Sequence, residues 1–346
     1  VGGKAMADYR KVIESIQNDE NLSRMTVPIP IGTDKNGNLF VEDLQNVGNI
    51  FIAGMKGSGK TTFLNQLITV LIKTKTPQEL KLLIVNRTEE ETKIYRNIPH
   101  LGMPPISDPS MTGQVINYLR DEMERRYVYF ARENVKDITK YNDRMVREGN
   151  EEKVLPYYVL IIEEAMNMIQ ASENQSGTMN DLAALSLKAK YAGINFIVAT
   201  NRVSQDIISN PATLTFFPNR IVFKIPESSL SGDERIQAID GWTKGHLYYF
   251  KHLSPISPIK LDLIEISPEE TVMEVENASS EYSDSALLKY AKEKAAAPSG
   301  DFRQKYLWLV EEKNRLLKDN KALMSELGKK QKELTDLKER IRSLLD

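Results

Sequence analysis

The 346-residue chain is long enough for two domains, or for one large domain with appendages. With 41% hydrophobic and 27% charged residues, it has the material for a sizeable core and is too apolar for a disordered chain. A net charge of −2 excludes a bulk-basic nucleic-acid coat or polybasic membrane anchor, and the absence of cysteine excludes disulfides, thiolate metal sites, Fe–S clusters and Cys nucleophiles.

At the N-terminus, Val1-Gly2-Gly3-Lys4-Ala5-Met6 reads as a cloning remnant, with no basic start and apolar stretch of a signal peptide. The chain is therefore expected to be part of a longer protein, tethered to a membrane only if an upstream segment was removed, and the lack of cysteine fits a reducing cytoplasm. No run approaches the ~18 apolar residues of a membrane-spanning helix. Residues 7–25 read as a lightly amphipathic helix or arm. Val27 to Thr33 and Leu39 to Leu44 then flank Asp34-Lys35-Asn36-Gly37-Asn38, and the Asn-Gly pair between extended segments predicts a β-hairpin.

From about 48 to 265, short apolar runs alternate with helical patterns. The runs are Asn49–Ala53, Lys81–Val85, Tyr157–Ile162, Asn195–Ala199, Asn219–Ile225, Leu247–Phe250 and Lys260–Ile264; helices are expected near 60–74, 111–134, 178–192 and 232–239. This alternation predicts an α/β domain with a mostly parallel sheet and helices on both faces. Residues 277–301 are small and polar and read as linker. Beyond them, Leu309, Leu316, Leu323, Lys330, Leu337 and Leu344 recur every seven residues, with Tyr306, Lys313, Asn320, Leu327, Leu334 and Ile341 on the companion line. Nine of these 12 seam positions are apolar or Tyr, which predicts a long helix in a coiled coil with a partner through 302–346.

Gly54-Met55-Lys56-Gly57-Ser58-Gly59-Lys60-Thr61 is the strongest chemical signal. Glycines let successive N–H groups turn inward around phosphate oxygens, and the helix that follows adds the positive end of its dipole. Lys60 is expected to reach the β- and γ-phosphates of ATP, and the Thr61 hydroxyl to ligate Mg²⁺; Thr62 continues the loop into its helix. Tyr157 to Ile162 then leads into two carboxylates, Glu163 as the cation-binding acid and Glu164 as the group that polarises the attacking water. Aspartate is the usual residue at the first of these positions, so Glu163 is a departure. Asn195 to Ala199 ends in Thr200 and Asn201, either of which can sense a γ-phosphate. Arg202 and Arg220 are candidates to stabilise charge on the transferring phosphoryl group, within the subunit or across a subunit boundary, with a structural ion pair as the competing reading of each.

Taken together, these motifs resemble the FtsK/SpoIIIE family of RecA-like motor ATPases over about residues 27–255. The resemblance rests on Val41-Glu42-Asp43-Leu44, the phosphate loop, Tyr95-Arg96-Asn97-Ile98-Pro99-His100-Leu101, Met123-Glu124-Arg125-Arg126-Tyr127 and Tyr141-Asn142. It continues through Lys188 to Ile194, Ala199-Thr200-Asn201-Arg202 and Phe217-Pro218-Asn219-Arg220. It implies a ring, most often a hexamer, with ATP between subunits and double-stranded DNA moved through the pore. Glu163, Asn201 and Val203 depart from the family pattern, and no segment resembles the family's winged-helix DNA reader, as in plasmid and conjugative members. The division expected on this basis is an arm at 1–26, a motor domain at 27–266, a linker at 267–301 and a coiled-coil helix at 302–346. Arg87 to Arg96, Gln170 to Thr178 and Arg202 to Asn210 are the candidate DNA-facing loops. The alternatives are a protein-handling motor like the type VII secretion ATPases, and a slow or non-hydrolysing scaffold that recruits partners through its coiled coil.

Overall fold

The apolar runs become strands of one sheet. The computed structural model describes residues 8–86, 88–165, 175–201, 215–226, 239, 245–252, 254 and 258–282. All of them belong to the first of the two units into which the chain divides, Val1–Ser283. The expected helix at 232–239 lies almost wholly outside the described residues, and the expected coiled coil at 302–346 entirely so.

Among the described residues the sheet has nine strands: β1 (Pro28–Thr33), β2 (Leu39–Asp43), β3 (Ile50–Ala53), β4 (Leu80–Val85), β5 (Tyr157–Ile162), β6 (Ile194–Thr200), β7 (Asn219–Val222), β8 (His246–Phe250) and β9 (Ile259–Asp262). Their order is β2-β1-β9-β8-β7-β3-β6-β5-β4. The five strands from β7 to β4 pair in parallel and form the centre. β8, β9, β1 and β2 add an antiparallel wing. β3, β6 and β7 are buried at every residue, because helices cover both faces of a parallel sheet and leave no polar side to alternate with. The predicted hairpin is β1–β2, its turn held by Asp34 Oδ1, which accepts the N–H groups of Asn36 and Asn38 at 2.8 and 2.9 Å.

The named helices are α1 (Tyr9–Asn18), α2 (Glu20–Ser23), α3 (Leu44–Val47), α4 (Lys60–Thr74), α5 (Glu89–Lys93), α6 (Thr112–Arg132), α7 (Ile138–Arg147), α8 (Gln175–Lys188) and α9 (Pro268–Glu281). α4 buries Phe63, Leu64, Leu67, Ile68 and Leu71 in one core with Ile52, Ile84, Val159 and Ile161. α6 covers the opposite face, where Tyr158 packs edge-on to Tyr118 and beneath the Arg126 guanidinium, 4.8 Å from its ring centre. Alternation along β5 puts Tyr158 and Val159 on opposite sides, so the two helices sandwich the sheet.

One boundary differs from expectation. Residues 268–281, assigned to the linker, form α9 and pack on α4. Ser267 and Glu270 cap its start reciprocally, and Thr271, Glu274, Val275 and Ala278 are buried. These positions recur at three- and four-residue spacing, one face of a helix, within a segment whose overall composition is polar. The N-terminal arm is docked too: Tyr9, Val12, Ile13 and Ile16 share a small core with Val70, Ile264 and Ile266. Tyr9 donates its hydroxyl hydrogen to Glu274 Oε1 at 3.0 Å, joining α1 to α9.

Three buried asparagines stitch the end of the sheet away from the phosphate loop. Asn49 Nδ2 donates to the carbonyls of Ser186 and Phe216, Asn219 Nδ2 donates to that of Val47, and Asn195 Nδ2 donates to Gln45 Oε1. Each sits at the start of a central strand, where the backbone of neighbouring connections would otherwise lack partners.

Candidate nucleotide site

The phosphate loop spans the gap between β3 and α4, at the carboxyl ends of the parallel strands where α/β sheets bind ligands. Its glycines are required by space and by backbone angle. A Cβ on Gly54 would lie 2.6 Å from Ser58 Oγ and 2.7 Å from Phe223 Cβ. Gly59 has φ +113° and leads directly into α4, which has no side-chain cap. Met55, Lys56 and Gly57 form the exposed crest of the loop, Ser58 is buried, and Thr61 and Thr62 are half-buried on the first turn of α4.

The Lys60 ammonium folds back over the loop, donating to the carbonyls of Gly54 at 2.7 Å and Met55 at 3.0 Å. Burial lowers its pKa, while Glu164 and Glu163 favour its charge. Thr61 donates its hydroxyl hydrogen to Glu163 Oε1 at 2.8 Å. The longer side chain of Glu163 thus reaches the Thr61 hydroxyl. Burial pushes the Glu163 carboxyl up to about 7; the Thr61 hydrogen bond and Lys60 oppose this, and Glu91 and Glu164 add to it.

Glu164 follows with φ +54°, a left-handed conformation for a non-glycine residue. Its Oε1 accepts a hydrogen bond from Asn201 Nδ2 at the end of β6. Asn201 thus faces the second acid. The strain at Glu164 and its amide partner fix where that carboxylate stands.

Comparison with known proteins identifies the class. The FtsK/SpoIIIE profile matches residues 10–205, more than half of the chain. The chain belongs to the FtsK/SpoIIIE family. The DNA translocase FtsK of Borreliella burgdorferi is 33% identical over 252 residues, covering 72% of this chain and 31% of that protein. The DNA translocase SpoIIIE of Bacillus subtilis is 32% identical over 225 residues, 64% of this chain and 28% of that protein. The chain thus spans less than a third of the length of either relative. In fold it resembles the cytoplasmic domain of the Thermomonospora curvata type VII secretion ATPase EccC, with a TM-score of 0.64 at 16% identity, over 80% of this chain and 34% of that one.

Among the family positions predicted from sequence, the structure brings together Gly54 through Thr62, Glu163, Glu164 and Asn201. Arg202 lies outside the described residues. Arg220 is 2% exposed on β7, level with Phe51, and its guanidinium lies over the Phe250 ring at 4.8 Å. Three residues of strand below Gly54 correspond to ~10 Å, so Arg220 does not join the phosphate loop of its own subunit.

Sequence reading missed Asn86 and Glu91. Asn86 Nδ2 donates to Glu163 Oε2 at 2.9 Å and to Glu91 Oε2 at 2.7 Å. A polar residue directly after Leu82-Leu83-Ile84-Val85, on the strand beside β5, was the available signal. Residues 89–93, within a candidate DNA-facing loop, form α5 instead, with Glu89, Glu90 and Glu91 in its first turn. Arg96 pairs with Glu89.

Proposed function

We propose that the chain is the ATP-hydrolysing motor domain of a homo-oligomeric ring, most simply a hexamer, that translocates double-stranded DNA. The carrying observation is the convergence of Lys60, Thr61, Glu163, Glu164 and Asn201 on one edge of the sheet. The DNA translocases among its relatives favour DNA over protein as the cargo.

The residues present fit ATP and Mg²⁺. The buried Ser58 Oγ has no hydrogen-bond partner among the described residues, and Gly57 and Gly59 both take positive φ in the loop that opens α4. Thr61 gives its hydrogen to Glu163, so its oxygen lone pairs remain available to a cation. When bound, Mg²⁺ neutralises charge on the β- and γ-phosphate oxygens. The loop N–H groups and the Lys60 ammonium hold the phosphates, with Lys60 exchanging the carbonyls of Gly54 and Met55 for phosphate oxygens. Glu164 takes a proton from the attacking water, and the Asn201 amide holds the Glu164 carboxylate in place for it. Arg202, adjacent to Asn201, and Arg220, acting across a subunit boundary, are the basic candidates for the transferring group. The coiled-coil segment 302–346 supplies a partner contact, and the protein acts in the bacterial cytoplasm, membrane-tethered if a segment precedes this chain.

Steady-state hydrolysis with and without long linear duplex DNA tests this reading. Stimulation should fall as salt rises, because phosphate contacts release counterions. Lys60→Ala should abolish nucleotide binding, and Glu164→Gln should bind without turning over. Stimulation by a partner peptide and not by DNA would replace the DNA reading with protein handling. ATP binding with no turnover on any DNA would replace it with a scaffold.

A further inference from the structure

Asn86 occupies a position that no established role explains. It follows β4 directly and is 5% exposed. Both hydrogens of its amide are engaged by carboxylates, Glu163 Oε2 at 2.9 Å and Glu91 Oε2 at 2.7 Å. Its Oδ1 accepts the Thr88 N–H at 3.0 Å. That third bond fixes the sense of the amide: an N–H can be answered only by the oxygen, so the nitrogen must face the two acids. Turning the amide over would set its oxygen against two carboxylates and leave the Thr88 N–H facing an NH₂.

Glu163 is consequently held at both oxygens, Oε1 by Thr61 and Oε2 by Asn86. Glutamate has one more rotatable bond than aspartate, and a cation-binding acid that turns freely presents no fixed face. We propose that Asn86 is a positioning residue for the cation site, pinning Glu163 Oε2 so that Oε1 takes the Thr61 proton and the Thr61 oxygen is left toward the cation. Glu91 steadies Asn86 from the other side. The neutral amide also separates two carboxylates that would otherwise repel each other across this gap. The inference rests on the nucleotide reading above and extends it to a residue outside the loop and the acid pair.

The test measures cation affinity apart from turnover. Binding of a methylanthraniloyl-labelled ATP to the full chain is followed by fluorescence, first in EDTA and then over a Mg²⁺ titration. Asn86→Ala should raise the Mg²⁺ concentration at half-saturation about tenfold, the usual effect of losing a residue that orients a metal ligand, and leave binding in EDTA unchanged. Asn86→Asp keeps the shape and places a third carboxylate between Glu91 and Glu163, so it should raise the midpoint at least as far. It carries the test if the alanine variant does not fold. Electron paramagnetic resonance of added Mn²⁺ should show the same weakening with no turnover involved. An unchanged Mg²⁺ midpoint in a folded variant, or equal losses in EDTA and in Mg²⁺, would overturn the role of Asn86 while leaving the nucleotide reading intact. A wild-type chain that shows no Mg²⁺-dependent nucleotide binding would overturn both.

Discussion

Lowering the pH probes how the outer edge of β4 is closed. His100 is fully buried there, and its backbone carbonyl accepts the Leu82 N–H at 2.7 Å. Its Nε2 lies 2.7 Å from the Lys75 carbonyl, which can only accept, so Nε2 carries the hydrogen and Nδ1 is bare. That Nδ1 is buried with no hydrogen-bond partner among the described residues, and the ring stands edge-on to Tyr282, 5.8 Å between centres. Protonation would put a charge and an unanswered N–H at Nδ1. Burial therefore drives the pKa from 6.5 down to about 4; the Lys75 carbonyl and Glu79 oppose the fall and Lys81 adds to it. Between these values the unfolded chain binds the proton and the folded chain does not, so stability falls as pH drops. A gap of roughly 2.5 pH units at ~1.36 kcal/mol each gives about 3 kcal/mol lost by about pH 4. Glu163 works the other way, because its folded pKa is raised to about 7 and it contributes stability that is lost as pH rises through that value. Comparing wild type with His100→Gln, whose amide can still donate to Lys75, isolates the histidine. Urea unfolding over this range should show a steeper loss toward acid in wild type, and the His100 ring protons should titrate near 4 by NMR. A ring titrating near 6.5, or equal pH slopes in the two proteins, would refute the reasoning.

Three further outcomes are expected. Gly54→Ala forces a Cβ against Ser58 and Phe223, so it should cost roughly 1–3 kcal/mol in thermal unfolding and weaken nucleotide binding by calorimetry; wild-type affinity would show that the loop can relax. Arg220→Met should lower the unfolding midpoint while keeping nucleotide binding; a loss confined to hydrolysis at unchanged stability, restored by mixing with Glu164→Gln subunits, would instead place Arg220 in the chemistry across the subunit boundary. Val275→Asp buries a charge between α9 and α4 and should cost roughly 3 kcal/mol or more, with faster amide exchange in α4; protection equal to wild type would mean that α9 is dispensable to α4.

The phosphate loop and the acid pair were legible in the sequence because their chemistry is local. Eight consecutive residues specify the cradle, and an apolar strand ending in two carboxylates announces itself. The helix at 60–74 was placed to the residue for the same reason, and the hairpin strands to within a residue. α9 was not, since Asn277-Ala278-Ser279-Ser280 looks like linker until Thr271, Val275 and Ala278 are seen to face α4. Arg220 is a similar case: nothing in its sequence neighbours announces the Phe250 ring that its guanidinium covers.

The sequence by itself determined the family, the α/β class and the glycine-rich loop between β3 and α4, because each is written in contiguous spacing. The tertiary structure alone decided that Asn86 and Glu91 join Glu163, that Asn201 faces Glu164, and that α1 and α9 dock on α4. Those contacts, like the Tyr9–Glu274 bond that joins α1 to α9 across 265 residues, link positions far apart in the chain. They depend on which strands lie side by side, and strand order is set by how the whole chain buries its apolar surface rather than by any short stretch of it.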